Sequence, residues 1–188
     1  MKEIFQSKYL NNSWKGSESK SGPGSSLYNN LQLLDILKNF VINNKINSII
    51  DCGCGDFNWM QAFDFSLIKS YLGIDIVDEI IDDCKIHETN IIKFQVKNIT
   101  SESIPQCDLI ICKDVLFHLS YKDAINALNN FKSSNSKYLL STHFEGFINQ
   151  DIKTGNWRKI NLVDEPFNLD QPLHLYSVIG KQIGIWKL

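Results

Sequence analysis

No run of this 188-residue chain is long and apolar enough to span a bilayer, and no charged-then-apolar leader opens it. Neither membrane insertion nor export is expected, and the cytoplasm is the expected compartment. Clusters of Lys and Arg are missing as well. With 19 basic and 21 acidic residues the formal net charge is −2, and no stripe tracks a phosphate backbone, so nucleic acid is not the expected partner. Paired cysteines are also lacking: Cys52, Cys54, Cys84, Cys107 and Cys112 are odd in number and lie mostly in or beside apolar runs, so reduced thiols are expected. Cys52-x-Cys54 has no second pair at ligand spacing, which argues against zinc, and no metal is expected. There is no internal repeat or low-complexity tract. What remains is a globular composition, 43% hydrophobic and 21% charged, in a chain the size of one domain. A single domain over residues 1–188 is expected.

The most informative segment is Ser48-Ile49-Ile50-Asp51-Cys52-Gly53-Cys54-Gly55-Asp56-Phe57-Asn58, an apolar strand running into an acidic, glycine-interrupted turn. Gly53 and Gly55 let the backbone turn tightly and approach a ligand with no Cβ in the way. A dinucleotide site wants a third glycine and an acid-poor helix start for its pyrophosphate, yet Asp51 and Asp56 flank this turn and Asn58 stands where that glycine would fall. Two carboxylates repel a diphosphate and suit a ligand that carries an ammonium and a sulfonium. Twenty residues on, Leu72-Gly73-Ile74-Asp75-Ile76 ends an apolar run in a lone carboxylate, where a doubly wound sheet meets ribose hydroxyls. Together these features point to S-adenosylmethionine. An ordinary strand-to-helix turn with a solvated Asp is the plain alternative.

Along the chain, residues 1–25 are polar and punctuated and read as a loop, a lid segment anchored by Tyr9 and Trp14. A helix is expected from Leu27 to about Asn44, capped by Ser25 or Ser26, on the spacing of Leu31, Leu34, Leu37, Phe40 and Val41. Strand and helix then alternate: strands at 46–51, 71–75, 92–96, 109–112 and 137–141, with helices around 59–68, 77–87 and from Ser120. Ser120-Tyr121-Lys122-Asp123 is a capping-box pattern. Residues 144–172 form a long polar loop, expected to be a substrate segment, and runs at 174–179 and 182–186 read as a C-terminal hairpin.

With those residues laid out, the chain resembles the class I S-adenosylmethionine-dependent methyltransferases, and more narrowly a small bacterial group found among glycan and polysaccharide genes. The stretches that carry the resemblance begin with Ser19-Lys20-Ser21-Gly22-Pro23-Gly24-Ser25-Ser26, Asp51 to Met60 and Gly73 to Val77. Cys112-Lys113-Asp114-Val115-Leu116-Phe117-His118-Leu119 and Asp151 to Arg158 with Asn161-Leu162 complete them. The resemblance implies an α/β, Rossmann-like sheet of seven strands, six parallel and one antiparallel from the C-terminal hairpin, with helices on both faces. It implies S-adenosylmethionine as donor, S-adenosylhomocysteine as product, and a cofactor site drawn from Asp51, Cys52, Gly53, Gly55, Asp56, Asp75, Ile76, Asn98, Ile99 and Lys113. Two departures stand out. Phe57 replaces the third glycine, and Asn98 replaces an Asp where the adenine amino group would be read, although an amide carbonyl can still accept that bond.

Methyl transfer from a sulfonium needs acceptor and methyl held in line and water kept out. The implied acceptor is a small molecule such as a sugar or phosphorylated glycan precursor, methylated on oxygen. His118 is the first candidate for general base and His143 the second, each with a structural histidine as the alternative. Asp114 contacts cofactor, orients His118 or caps the next segment, and the sequence leaves these open. Lys20 and Arg158 are candidate grips for an anionic acceptor, aided by Ser21 in its glycine-serine run, and Trp14 and Trp157 are candidate walls for a sugar face; surface charge and packing are the alternatives. Methylation of RNA or protein and a non-catalytic cofactor-binding module are the competing readings, and a nicotinamide oxidoreductase is disfavoured by the acids around the turn.

Overall fold

Strands form at short runs that are either continuously apolar, as at Leu109–Cys112, or alternate apolar with polar residues, as at Ile92–Val96. In the computed structural model, which describes all 188 residues, these are β1 (Ser48–Cys52), β2 (Ser70–Asp75), β3 (Ile92–Val96), β4 (Leu109–Cys112) and β5 (Tyr138–His143). Leu109, Ile110, Ile111 and Cys112 of β4 are wholly buried, as a strand covered on both faces must be. β6 (His174–Val178) and β7 (Lys181–Lys187) make the expected hairpin, paired from Val178↔Lys181 to His174↔Ile185. The seven strands lie in the order β3-β2-β1-β4-β5-β7-β6. β7 runs against both β5 and β6, and the other six strands are parallel, so the expected Rossmann-like architecture is the observed one.

By internal packing the chain divides into two compact units, Met1–Lys97 and Asn98–Leu188. The first contains β1, β2 and β3 with three helices: α1 (Lys2–Leu10), α2 (Leu27–Asn43) and α3 (Asp78–Cys84). α1 corrects the expected N-terminal loop. Its buried residue is Tyr9 alone, so no apolar stripe announced it. Polar bonds to α3 hold it instead: Tyr9 Oη donates to Asp83 Oδ2 (3.0 Å), and Lys2 pairs with Asp78. The helix expected around 59–68 is likewise replaced, by two 3-10 turns at Met60–Ala62 and Phe65–Leu67. Asp64 breaks the run by accepting the Ser66 N–H (3.1 Å), while Phe63 and Phe65 turn edge-on to one another.

The second unit contains β4 to β7 and α4 (Tyr121–Ser133), whose Ala124, Ala127, Leu128 and Phe131 are buried. The capping box closes in an altered form. Ser120 Oγ accepts the Asp123 N–H (3.2 Å), but Asp123 reaches Thr154, and Thr154 Oγ1 accepts the Ser120 N–H (2.9 Å) in its place. The long segment 144–172 has no regular helix or strand, yet it is densely bonded. Asn149 donates to the carbonyls of Asn161 and Glu165 (both 2.8 Å) and accepts the Asn161 N–H (2.9 Å).

Candidate functional site

In the first unit the turn after β1 takes three positive φ angles in five residues, Gly53 (81°), Gly55 (55°) and Phe57 (62°). Gly53 and Cys54 both donate their N–H groups to the Ile74 carbonyl (2.8 and 3.1 Å), which ties the turn to the end of β2. Asp75 closes β2 half-buried, with Oδ2 accepting the Gly55 N–H (3.3 Å) and Oδ1 the Val77 N–H (3.1 Å). Burial pushes its carboxyl up to about 6 despite these amide donors. A carboxylate has about four lone-pair sites and the amides of Gly55, Ile76 and Val77 face this one, so Asp75 retains capacity for a further hydroxyl.

The segment that precedes α2 is docked on this turn. Ser19 Oγ lies 2.8 Å from both carboxylate oxygens of Asp56, and Ser21 Oγ accepts the Asp56 N–H (3.0 Å). Gly55 leaves no room for a Cβ, which would lie 2.5 Å from Ser21 Oγ. Asn58 Nδ2 donates to Glu18 Oε1 (2.6 Å) and to the Ser25 carbonyl (2.9 Å). Ser21 thus braces the turn through its hydroxyl oxygen. Lys20 is exposed with its ammonium 5.4 Å from the Tyr9 ring centroid, and Trp14 packs over Gly22. Asp51 is buried and its Oδ2 accepts from Tyr71 Oη (2.9 Å), so it braces β1 on β2. Cys52 is wholly buried and Ile76 half-buried.

In the second unit Asn98 Oδ1 accepts both the N–H and the hydroxyl of Thr100 (3.0 and 2.9 Å), so the carbonyl expected to read adenine is turned onto its own loop. Ile99 is buried and its carbonyl accepts from Asn130 Nδ2 (2.8 Å). Past β4, Lys113 is buried and Asp114 takes a left-handed φ of 59°. Asp114 Oδ1 accepts from Thr142 Oγ1 (2.8 Å), and Oδ2 accepts from Lys113 Nζ (2.8 Å) and from Lys181. Burial alone would raise this carboxyl; the two ammonium groups outweigh it and hold it well below the carboxylate range. Asp114 therefore anchors lysines and does not touch His118. Lys181 was invisible to sequence reading, because nothing in a hairpin Gly-Lys marks a buried cation.

His118 is half-buried and its Nδ1 lies 2.8 Å from the Asn156 carbonyl, which can only accept, so Nδ1 carries the hydrogen. The neutral ring then has its basic lone pair on Nε2. Gly155 N–H to the His118 carbonyl (2.7 Å) and Arg158 N–H to the Phe117 carbonyl (3.2 Å) strap 155–158 along the same turn. Trp157 stays 56% exposed, edge-on to Phe117 at 6.1 Å, and Phe117 meets the His118 ring at 4.6 Å. Arg158 is buried between Tyr121 and Phe167 and gives Nη1 to the Leu119 carbonyl (2.6 Å). Its Nε and Nη2 are buried without a partner. His143 is buried too; burial lowers its pKa and its Nδ1 accepts the Leu162 N–H (3.1 Å), leaving Nε2 with the hydrogen and no lone pair for proton abstraction.

Residues 50–133 match the family model described as a methyltransferase domain. The chain therefore contains a methyltransferase domain. None of the curated proteins matches this methyltransferase in sequence. Among solved structures it resembles magnesium protoporphyrin IX methyltransferase (ChlM) from Synechocystis PCC 6803 with bound cofactor, at TM-score 0.67 and 13% identity over 99% of this chain and 94% of that one. The methyltransferase domain of bacterial CtHen1 aligns at TM-score 0.64 and 14% identity, over 85% and 99%. CalS10, an amino pentose methyltransferase from Micromonospora echinaspora, aligns at 0.52 and 13%, over 62% and 52%. The methyl donor is S-adenosylmethionine, and the residues present fit it. A carboxylate with an unused acceptor site closes β2, and the turn beside it carries acids where a diphosphate would need donors. No helix of the methyltransferase is long and apolar enough to cross a membrane.

Proposed function

We propose that the enzyme methylates a hydroxyl oxygen of a small, sugar-like acceptor bearing an anionic group, with Asp75 holding the cofactor ribose and His118 acting as general base. The observation that carries this reading is the His118 ring, fixed through Nδ1 by the Asn156 carbonyl (2.8 Å) so that Nε2 is the basic nitrogen. Bound S-adenosylmethionine supplies an electrophilic methyl group. The chain's own part is to align the acceptor oxygen, exclude water and take the hydroxyl proton at Nε2. Trp157 supports a sugar-like acceptor: its exposed indole shares Phe117 with the base and offers an apolar face to a pyranose. The fold also serves an amino pentose acceptor in CalS10. We assign His143 a structural role, because its ring is committed to Leu162.

The test is turnover, read as S-adenosylhomocysteine release against a panel of sugar phosphates and nucleotide sugars. His118→Ala is expected to lower kcat by about a hundred to ten thousand fold, with cofactor affinity unchanged. Unaltered kcat in that variant removes His118 as the base.

A further inference from the structure

At the carboxyl ends of β4 and β5 in the second unit, two ammonium groups meet one carboxylate. Lys113 and Asp114 leave the end of β4, Thr142 lies near the end of β5, and Lys181 opens β7. The register places them side by side, since Cys112 pairs with Ser141 and His143 with Gln182. Both ammonium groups converge on one oxygen, Asp114 Oδ2, while Thr142 occupies Oδ1 and also accepts the Asp114 N–H (2.9 Å). Two cations share one anion.

The two lysines differ in what they have left to give. Lys113 has a side chain only 3% exposed, whereas those of Lys181 and Asp114 are 12% and 18% exposed, so the cluster opens on the Lys181 side. Asp114 is the carboxylate partner of Lys181, Lys113 lies at hydrogen-bond range beside it, and an ammonium has three donors, so an N–H direction remains. The charges facing Lys181 are one ammonium and one carboxylate, which cancel, and burying a cation that is not matched is costly; an oxyanion on its remaining donor would match it. Open α/β sheets bind ligands at the carboxyl ends of their strands, which is where this cluster sits.

We propose that Lys181, backed by Lys113 and oriented by Asp114, is the subsite for the anionic group of the methyl acceptor, a phosphate or carboxylate. This deepens the reading of an anionic acceptor and rests on it. Burial, with Lys113 alongside, lowers Lys181 to about 8 even though Asp114 opposes the shift, so its charge is present at neutral pH and lost above that value. The groups around it are Lys113, Asp114 and Thr142, with His143 paired to the adjacent Gln182.

Inorganic sulfate is the probe, since its charge does not change across this range, added to the full-length protein at constant ionic strength. A saturable rise in Tm is expected at pH 7, at least fivefold smaller in saturating effect at pH 9.5. Lys181→Gln is expected to abolish the rise, and Lys181→Arg to keep it at both pH values, because a guanidinium stays charged. No saturable effect on wild type, or an equal effect in Lys181→Gln, overturns the subsite. S-adenosylmethionine affinity separates the two sources of oxyanion. An unchanged Kd in Lys181→Gln supports the acceptor, whereas a tenfold weaker Kd assigns the site to the cofactor's carboxylate and overturns the proposal. Failure of every anionic acceptor to turn over, with the sulfate effect lost in Lys181→Gln, counts against the O-methylation reading and supports the site.

Discussion

Asp75 carries the tension between stability and ligand recognition at the level of single residues. Its carboxyl titrates at about 6 in the fold, above its ordinary value of about 3.9. The folded state therefore holds the proton more tightly than the unfolded chain, and the stability this contributes is full below the ordinary value and lost as pH rises through about 6. At neutral pH the ionised group is a net cost to the fold. Asp75→Asn cannot ionise. The Tm difference between that variant and wild type is expected to move in the variant's favour from pH 4 to pH 7, by a few degrees, while the variant binds cofactor at least tenfold more weakly. A pH-independent difference would remove burial as the cause.

Phe57 shows how a departure from a motif can keep the motif's geometry. It holds the left-handed angle of the missing glycine, which costs a bulky residue about 1–2 kcal/mol. The ring is buried among Phe65, Tyr71, His87 and Phe94 at centroid distances from 4.9 to 5.8 Å, and packing outweighs the strain. Phe57→Ala is expected to cost about 3–5 kcal/mol in chemical denaturation, and Phe57→Gly roughly 1 kcal/mol less, because glycine relieves the backbone. An equal or greater loss in Phe57→Gly would show that the angle is unstrained.

Among the elements, the 144–172 segment works as a strap. Thr154 satisfies Ser120 and Asp123 at the start of α4, while Gly155, Asn156 and Arg158 bond the turn that holds His118. Thr154→Val keeps shape and removes both bonds. A loss of about 1–3 kcal/mol in stability is expected, together with a lower kcat and an unchanged cofactor Kd; equal kcat would separate the strap from the base. What the sequence disclosed follows from how each element is held. α4 was legible because a cap and an apolar face both mark it, and β4 because burial on two sides demands an unbroken apolar run. α1 was not, since polar bonds from Tyr9 and Lys2 to α3 leave no periodicity to read. In the site, the Gly53–Gly55 turn and Asp75 were legible from local spacing. Lys181 was not, because its partners Lys113 and Asp114 lie some 67 residues away in sequence.

At the scale of the whole molecule, the order of seven strands follows from alternation of apolar runs with helices plus one terminal hairpin, and all three features are written locally. The glycine turn and Asp75 belong to the first compact unit, and His118, Trp157 and the Lys113–Asp114–Lys181 cluster to the second. The formal charge of −2 agrees with an acceptor recognised by a local cation cluster and not by a broad basic surface. Calorimetric titration of wild type and Asp75→Ala with S-adenosylmethionine, S-adenosylhomocysteine and NAD probes the donor site directly. One-to-one binding of the first two but not NAD, weakened at least tenfold in Asp75→Ala, is the predicted result; NAD binding, or donor affinity unaffected by the loss of Asp75, would contradict it.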